Sequence, residues 1–432
     1  AERVNFIPQP QSAMTVIDQH TGYVKAIIGG RGEKTASLTL NRATDSTRQP
    51  GSTFKIVSTY AAALNEKGMT LATTYEDQPI TYDNGAPVNN ASGSFNGTTT
   101  IRTAIRNSVN TVAVQCFEDV TPELGLKYLD NFGFTTLAHG TEADTDANGN
   151  VYTDANLPTA LGGLTYGVKN VELCAAYAAI ANGGNYIKPV YYTKILDHNG
   201  NVLIENNSVG RSVIKETTAY LLTSALEDVV QNGTGTACQL DNMAVAGKTG
   251  TTDAYNDLWF VGYTPYYTCA VWSGYDGNQK IPEGDARNFH KTLWRKVMNR
   301  IHQGMEYKDF EVPDGIEQIS ICADTGLLPR VGCPVTEEYF DVGTMPTEYC
   351  DQHFYEYDES QDEDMEISDE NATPTPDPEN PDGTDNADGS GGDGTGGDGT
   401  GGDGTGGDGT GGGDIQYPDE SGGDSGNDDI YY

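Results

Sequence analysis

The chain has 432 residues and a formal net charge of −38, with 25 Lys and Arg against 63 Asp and Glu. The acidity is uneven: 25 acidic residues and no Lys or Arg lie after position 350, which leaves −13 for the first 350 residues. Phosphate backbones are bound by dense basic surfaces, and no stretch here clusters Lys and Arg in that way, so nucleic acid is excluded as a partner.

The chain starts on Ala, and Phe6-Ile7-Pro8-Gln9-Pro10 reads as a linker running into a strand, as expected for a segment of a longer protein. There is no signal peptide, and no apolar run reaches the ~20 residues needed to span a bilayer, so the chain reads as soluble. Met14 to Asp18 and Tyr23 to Ile28 flank His20-Thr21-Gly22 as a β-hairpin. After a polar loop, Arg48-Gln49-Pro50-Gly51 leads into Ile56, Val57, Tyr60, Ala61 and Leu64, apolar at helical spacing until Gly68. Ser52 therefore opens a buried helix. A polar stretch from Thr70 to Gly97 precedes a helix at Ile101 to Ile105, a polar break at Ser108 to Asn110, and a second apolar helix from Thr111. Thr121-Pro122-Glu123 carries the cap, the first-position proline and the acidic first turn of another helix, reaching about Phe132. These segments form a helical lobe.

Asp144 to Asn150 imitates the first half of a calcium-binding loop, but Ala155 stands where the bidentate glutamate belongs, so it reads as an Asx-turn loop. Lys169 to Ala181 is an apolar helix closed by Gly183-Gly184. A hairpin follows at Tyr191 to Leu196 and Val202 to Ile204, then an amphipathic helix at Lys215 to Val230. Ala244 to Lys248, Leu258 to Tyr263 and Thr268 to Ser273 read as strands, and Phe289 to His302 as the last helix. The fold class is therefore α/β of the α+β type: an antiparallel sheet of about five strands flanked by helices, plus the helical lobe.

Three short motifs carry the chemistry. Ser52-x-x-Lys55 sets a hydroxyl one turn from an amine, a nucleophile beside a base if burial or a second cation keeps the lysine partly neutral. Ser108-Val109-Asn110 falls in the break between two helices, and Lys248-Thr249-Gly250-Thr251 opens the strand-rich region. The first motif alone is more often a helix cap with a solvated lysine. The three in this order are the signature of penicillin-binding proteins and class A β-lactamases.

Here the chain resembles the transpeptidase domain of class A penicillin-binding proteins. The likeness extends to Ile17-Asp18, Asn41-Arg42-Ala43, Arg48-Gln49-Pro50-Gly51, Leu161-Gly162-Gly163, Ala181-Asn182-Gly183-Gly184, Asp257 to Pro265 and Val271 to Asp276, covering about residues 13–301. It implies a serine β-lactamase/transpeptidase-like fold and a DD-transpeptidase acting on the D-Ala-D-Ala end of peptidoglycan stem peptides, acylated by β-lactams as mimics. Ser52 would be the nucleophile, Lys55 the base, Ser108 the proton relay and Lys248 the cation that disfavours charge on Lys55. Asn110 would orient a substrate carbonyl, and backbone N–H groups of Ser52 and Thr251 would form the oxyanion hole. Thr249 and Thr251 would hold a carboxylate, with Gly250 letting the ligand approach the strand. A DD-carboxypeptidase, a β-lactamase and an inactive β-lactam sensor are the alternatives. The triplet carries Val109 where class A β-lactamases have aspartate, and no Glu-x-x-Leu-Asn context follows, so no deacylating base is expected. The resemblance also implies a membrane anchor and a glycosyltransferase domain in the parent protein, which would be extracytoplasmic and tied to the membrane only through that anchor. No cofactor or metal is expected.

The domain boundaries follow: residues 1–312 for the transpeptidase unit, 313–357 for a cysteine-containing extension, and 358–432 for a tail without a core. Cys116, Cys174, Cys238 and Cys269 read as buried hydrophobes. Cys322, Cys333 and Cys350 lie in a loop-rich segment, where a Cys333–Cys350 disulfide is expected. Zinc is the competing reading, disfavoured by the lack of a Cys-x-x-Cys pair. The tail, with its Thr-Pro linker and Gly-Gly-Asp-Gly-Thr repeats, reads as a disordered, solvated spacer. Its removal is expected to leave acylation and stability unchanged, and Gly423-Asp424-Ser425-Gly426 within it as no active site.

Overall fold

The computed structural model of the chain describes residues 9–353, so the expectations for the tail lie outside the described residues. Strands β1 (Gln11–Asp18) and β2 (Tyr23–Ile28) form the expected hairpin. A 3₁₀ turn at Gly51–Thr53 and a π-helical stretch at Lys55–Tyr60 lead into α1 (Ala61–Glu66). The helical lobe follows as α2 (Ile101–Asn107), α3 (Asn110–Val120) and α4 (Pro122–Asn131). Then come α5 (Asn170–Ala181), α6 (Glu216–Asn232), β3 (Ala246–Thr251), β4 (Asp257–Tyr263), β5 (Thr268–Gly274) and α7 (Phe289–Ile301).

The five strands make one antiparallel sheet in the order β3-β4-β5-β1-β2. Both faces are buried along β1, β4 and β5, whereas the edge strand β2 is partly exposed, and the period of two sorts the side chains between the faces. Ala13, Ile17, Trp259, Val261, Tyr263, Ala270 and Trp272 join the large core with α5, α6 and the helix that starts at Ser52. Met14, Val16, Phe260, Cys269 and Val271 meet Trp294 and Met298 of α7 on the other side. Polar anchors fix the layers. Asn170 at the start of α5 accepts from Thr15 Oγ1 at 2.6 Å and donates to Ala270 O at 3.2 Å, and Trp294 Nε1 donates to Cys269 O at 2.9 Å.

Residues 144–150 form a hydrogen-bonded turn in which Asp146 accepts from the Asn148 and Asn150 backbones and from the Asn150 and Tyr152 side chains. The segment after Pro313 departs from the loop-rich expectation. It holds a two-stranded antiparallel hairpin, β6 (Ile316–Cys322) with β7 (Val335–Asp341). A small cluster of Ile321, Phe340 and Ala72 and the ion pair of half-buried Arg102 with buried Glu338, with Nε to Oε2 at 2.6 Å, dock it on the main body. The expected Cys333–Cys350 disulfide is absent, because the thiols of all seven cysteines are free. The turns after β6 and β7 instead draw Cys322, Cys333, Cys350 and His353 to a single point.

Candidate active site

The nucleophile turn is held by its backbone. Gln49 closes a reciprocal pair with Leu164, donating to its carbonyl at 2.7 Å and accepting from its amide at 2.8 Å, while Trp259 Nε1 donates to Gln49 O. Thr53 is clamped by Tyr177, whose hydroxyl donates to its carbonyl at 2.6 Å. Gly51 has φ +55°, and a Cβ there would lie 2.9 Å from Thr251 O, so the turn runs backbone against backbone along β3. A Cβ on Gly250 would lie 2.5 Å from Pro50 O. The glycine of the third motif is therefore needed for close packing of the nucleophile turn on β3, a reason distinct from the ligand approach expected of it. Ser52 is half-buried at the start of this segment.

Lys55 is wholly buried at the start of the π-helical stretch, a rare geometry that occurs frequently at functional sites. Its ammonium donates to Asn110 Oδ1 at 2.6 Å, Ser108 O at 2.7 Å, Val109 O at 3.2 Å and Ser108 Oγ at 3.3 Å. Lys55 of the first motif thus meets all three residues of the second. The Ser52 hydroxyl itself makes no hydrogen bond among the described residues, as is common before a substrate tightens a catalytic site.

Ser108 is placed by the end of α2. Its φ of 58° and ψ of 43° are left-handed, the Ser108 amide donates to Ala104 O and Ile105 O, and the Val109 amide donates to Ala104 O at 2.9 Å. This is the Schellman closure that usually takes glycine, here occupied by a residue whose hydroxyl faces Lys55. Asn110 uses Oδ1 for Lys55 and one amide hydrogen for Asn89 O at 2.6 Å, leaving one hydrogen for the expected substrate carbonyl.

Lys248, also wholly buried, shares the inward face of β3 with Ala246 and Gly250 and donates to Thr249 O at 3.3 Å. The Thr249 and Thr234 hydroxyls pair at 2.7 Å, and Thr251 is exposed at the end of the strand. Burial, and then the nearby charge of Lys248, holds the Lys55 amine well below its ordinary pKa. Burial alone pushes Lys248 down to about 7. Neither lysine is paired with a carboxylate among the described residues, so nothing offsets that desolvation with an opposite charge.

Two features escaped the sequence. Asp77, buried in the Thr74–Asp77 strand, accepts from Asn90 Nδ2, Thr111 Oγ1 and the Asn96 amide, and Asn90 Oδ1 accepts in turn from the Asn110 amide at 2.8 Å. This network caps α3 and fixes Asn110, but its members lie tens of residues apart and leave no local pattern. Thr234 lines a cavity with Ser108 and Asn90 and links it through Thr249 to β3. Its one sequence signal is the Gly233-Thr234-Gly235 loop.

A family model described as the penicillin-binding protein transpeptidase domain matches residues 12–299. The chain belongs to this family. A second model, the penicillin-binding protein 1A C-terminal domain, matches residues 312–355. Penicillin-binding protein 1A of Clostridium tetani is 34% identical over 364 residues, covering 80% of this chain and 45% of the relative. That of Clostridium novyi is 36% identical, over 81% of this chain and 41% of the relative. The chain thus spans less than half the length of these curated relatives. Among solved structures, penicillin-binding protein 1A of Haemophilus influenzae aligns with a TM-score of 0.68 at 25% identity, over 81% of this chain and 55% of that one. PonA1 of Mycobacterium tuberculosis in complex with penicillin V aligns with a TM-score of 0.61 at 26% identity, over 71% and 82%. The penicillin-binding transpeptidase fold is the one seen here, and peptidoglycan transpeptidation is the reaction that the membership supports.

Proposed function

We propose that this chain crosslinks peptidoglycan stem peptides through a Ser52 acyl-enzyme. The observation that carries the reading is the buried, carboxylate-free amine of Lys55 bonded to Ser108 and Asn110, with Lys248 close enough to disfavour its charge. Neutral Lys55 takes the Ser52 proton as the hydroxyl attacks the penultimate D-Ala carbonyl. Ser108 passes a proton to the leaving D-Ala nitrogen. An amine from a second stem then attacks the ester and restores Ser52. Backbone amides of Ser52 and Thr251 stabilise the oxyanion, each contributing about 3 kcal/mol. Thr249, Thr251 and charged Lys248 hold the donor carboxylate, and Asn110 orients a donor carbonyl.

Hydrolytic emptying of the acyl-enzyme requires a base, and three glutamates between the second and third motifs are unsuited to that role. Glu123 and Glu142 are exposed at helix starts, and Glu172 is bonded to Thr135 and Lys169. This favours transpeptidase over β-lactamase. A labelled penicillin should add once per chain at Ser52, by mass spectrometry, persist for many minutes to hours, and be lost in Ser52→Ala. Label on another residue refutes the assignment. Fast penicilloate release favours a β-lactamase, and D-Ala release unaffected by added amine favours the carboxypeptidase.

The relatives' greater length supports a longer parent polypeptide, for which we propose an N-terminal anchor and a glycosyltransferase domain, with this unit on the outer side of the membrane. No helix among the described residues is long and apolar enough to cross a membrane.

A further inference from the structure

We propose that Cys322, Cys333, Cys350 and His353 bind a structural zinc ion. The three Sγ atoms and the imidazole nitrogen all lie within 4.8 Å of one another, with His353 Nδ1 3.5 Å from Cys322 Sγ and 3.3 Å from Cys350 Sγ. Tetrahedral zinc with bonds of about 2.3 Å to sulfur and about 2.0 Å to nitrogen sets S···N edges near 3.5 Å, so His353 already stands at ligand spacing from Cys322 and Cys350. The chain order also fits. Cys322 ends β6, Cys333 closes the turn before β7, and Cys350-x-x-His353 is a close pair of the kind used by compact zinc modules.

The surroundings support a metal over a disulfide. His353 Nε2, on the far side of the ring from the sulfurs, lies 3.1 Å from Asp324 Oδ2. This carboxylate–histidine arrangement fixes the tautomer that leaves Nδ1 free to ligate. The Arg330 amide donates to Cys333 Sγ at 3.2 Å, and Arg330 Nε donates to Cys350 O at 2.9 Å, which brings a positive charge to a centre whose three thiolates outweigh a divalent ion. A disulfide would use two thiols and leave the third thiol and the oriented imidazole without a function. Four protein ligands fill the coordination sphere, which marks a structural ion, and a soft S₃N set selects zinc over magnesium or calcium. Binding releases the three thiol protons to solvent. The need is visible too, since the hairpin adds little beyond Ile321 and Phe340 to its own core.

The test uses the full chain, purified without chelator. Elemental analysis should find one zinc per chain, and Cys322→Ser or Cys333→Ser should lose it while Ser52 still takes up penicillin. Replacing zinc with Co²⁺ in the reduced wild-type chain should produce thiolate-to-cobalt charge transfer and the intense visible bands of a tetrahedral ion. Asp324→Asn should weaken zinc binding about 10- to 100-fold without removing a ligand. Because the cobalt spectrum is read on the wild-type chain, a misfolded variant does not decide the outcome. Reduced protein that neither retains zinc nor takes up cobalt overturns the proposal, as does a stoichiometric disulfide that forms equally well with zinc present.

Discussion

Two side chains at the site sit in conditions that lower stability, and each implies a trade between stability and activity. Lys248 is buried with its pKa near 7, whereas in the unfolded chain it keeps a proton up to about 10.4. Between those values the unfolded state holds more protons, so this group makes stability rise with pH across that window. Below pH 7 it imposes its full cost of a few kcal/mol, roughly 1.4 kcal/mol per pKa unit. Lys248→Met should therefore raise the melting temperature at neutral pH while suppressing acylation. Its residual acylation should also lose its acid limb at higher pH than wild type, because Lys55 would no longer feel the second cation. A pH profile of penicillin acylation beside thermal melts checks both, and an unmoved limb would mean that the two amines are uncoupled. Ser108 offers a second case. Glycine suits its left-handed backbone, so Ser108→Gly should stabilise the protein by up to about 1 kcal/mol and Ser108→Ala should not, while both slow acylation. A Ser108→Gly protein no more stable than Ser108→Ala would show that the closure carries no strain.

At the scale of elements, α2 joins the site to the C-terminal hairpin. Arg102 lies on α2, the helix that ends at Ser108, and its guanidinium takes Glu338 of β7 with both Nε and Nη2 at 2.6 Å while also bonding Ser224 of α6. Glu338→Ala would leave a half-buried guanidinium without its carboxylate, so we expect a loss of about 2–3 kcal/mol, whereas the pair Arg102→Met with Glu338→Leu should recover most of it. Acylation should fall with the single change as α2 loosens. Denaturant melts of the three proteins decide this, and a single change within ~1 kcal/mol of wild type would mean that water already screens the pair. The same region marks the limit of sequence reading. Strands β4 and β5 were legible as short, near-continuous apolar runs, and helices such as α6 and α7 because apolar positions recur every three to four residues. Hairpin β6–β7 was not, because Glu317, Gln318 and Ser320 interrupt the apolar positions of one strand and Glu337 and Glu338 those of the other. Its stability comes from partners more than two hundred residues away. The convergence of Cys322, Cys333 and Cys350 was hidden for the same reason, since spacing along the chain says nothing of how turns fold back.

For the whole molecule, the sheet order places the strand that carries Lys248, Thr249 and Gly250 at one margin, hydrogen-bonded to β4 on one side only. A margin of this kind normally invites unwanted pairing with another chain. Here its backbone is partly shielded by the turn at Pro50 and Gly51, which presses against Thr251. Only Thr249, half-buried, and Thr251, exposed, are not buried along β3, and an extended segment meeting them would pair main chain to main chain. A donor peptide seated as a sixth strand would be recognised by its backbone and its terminal carboxylate, and only weakly by the side chains along its length. Such an enzyme should accept stems that differ in their middle residues yet reject any whose backbone is N-methylated where it meets β3.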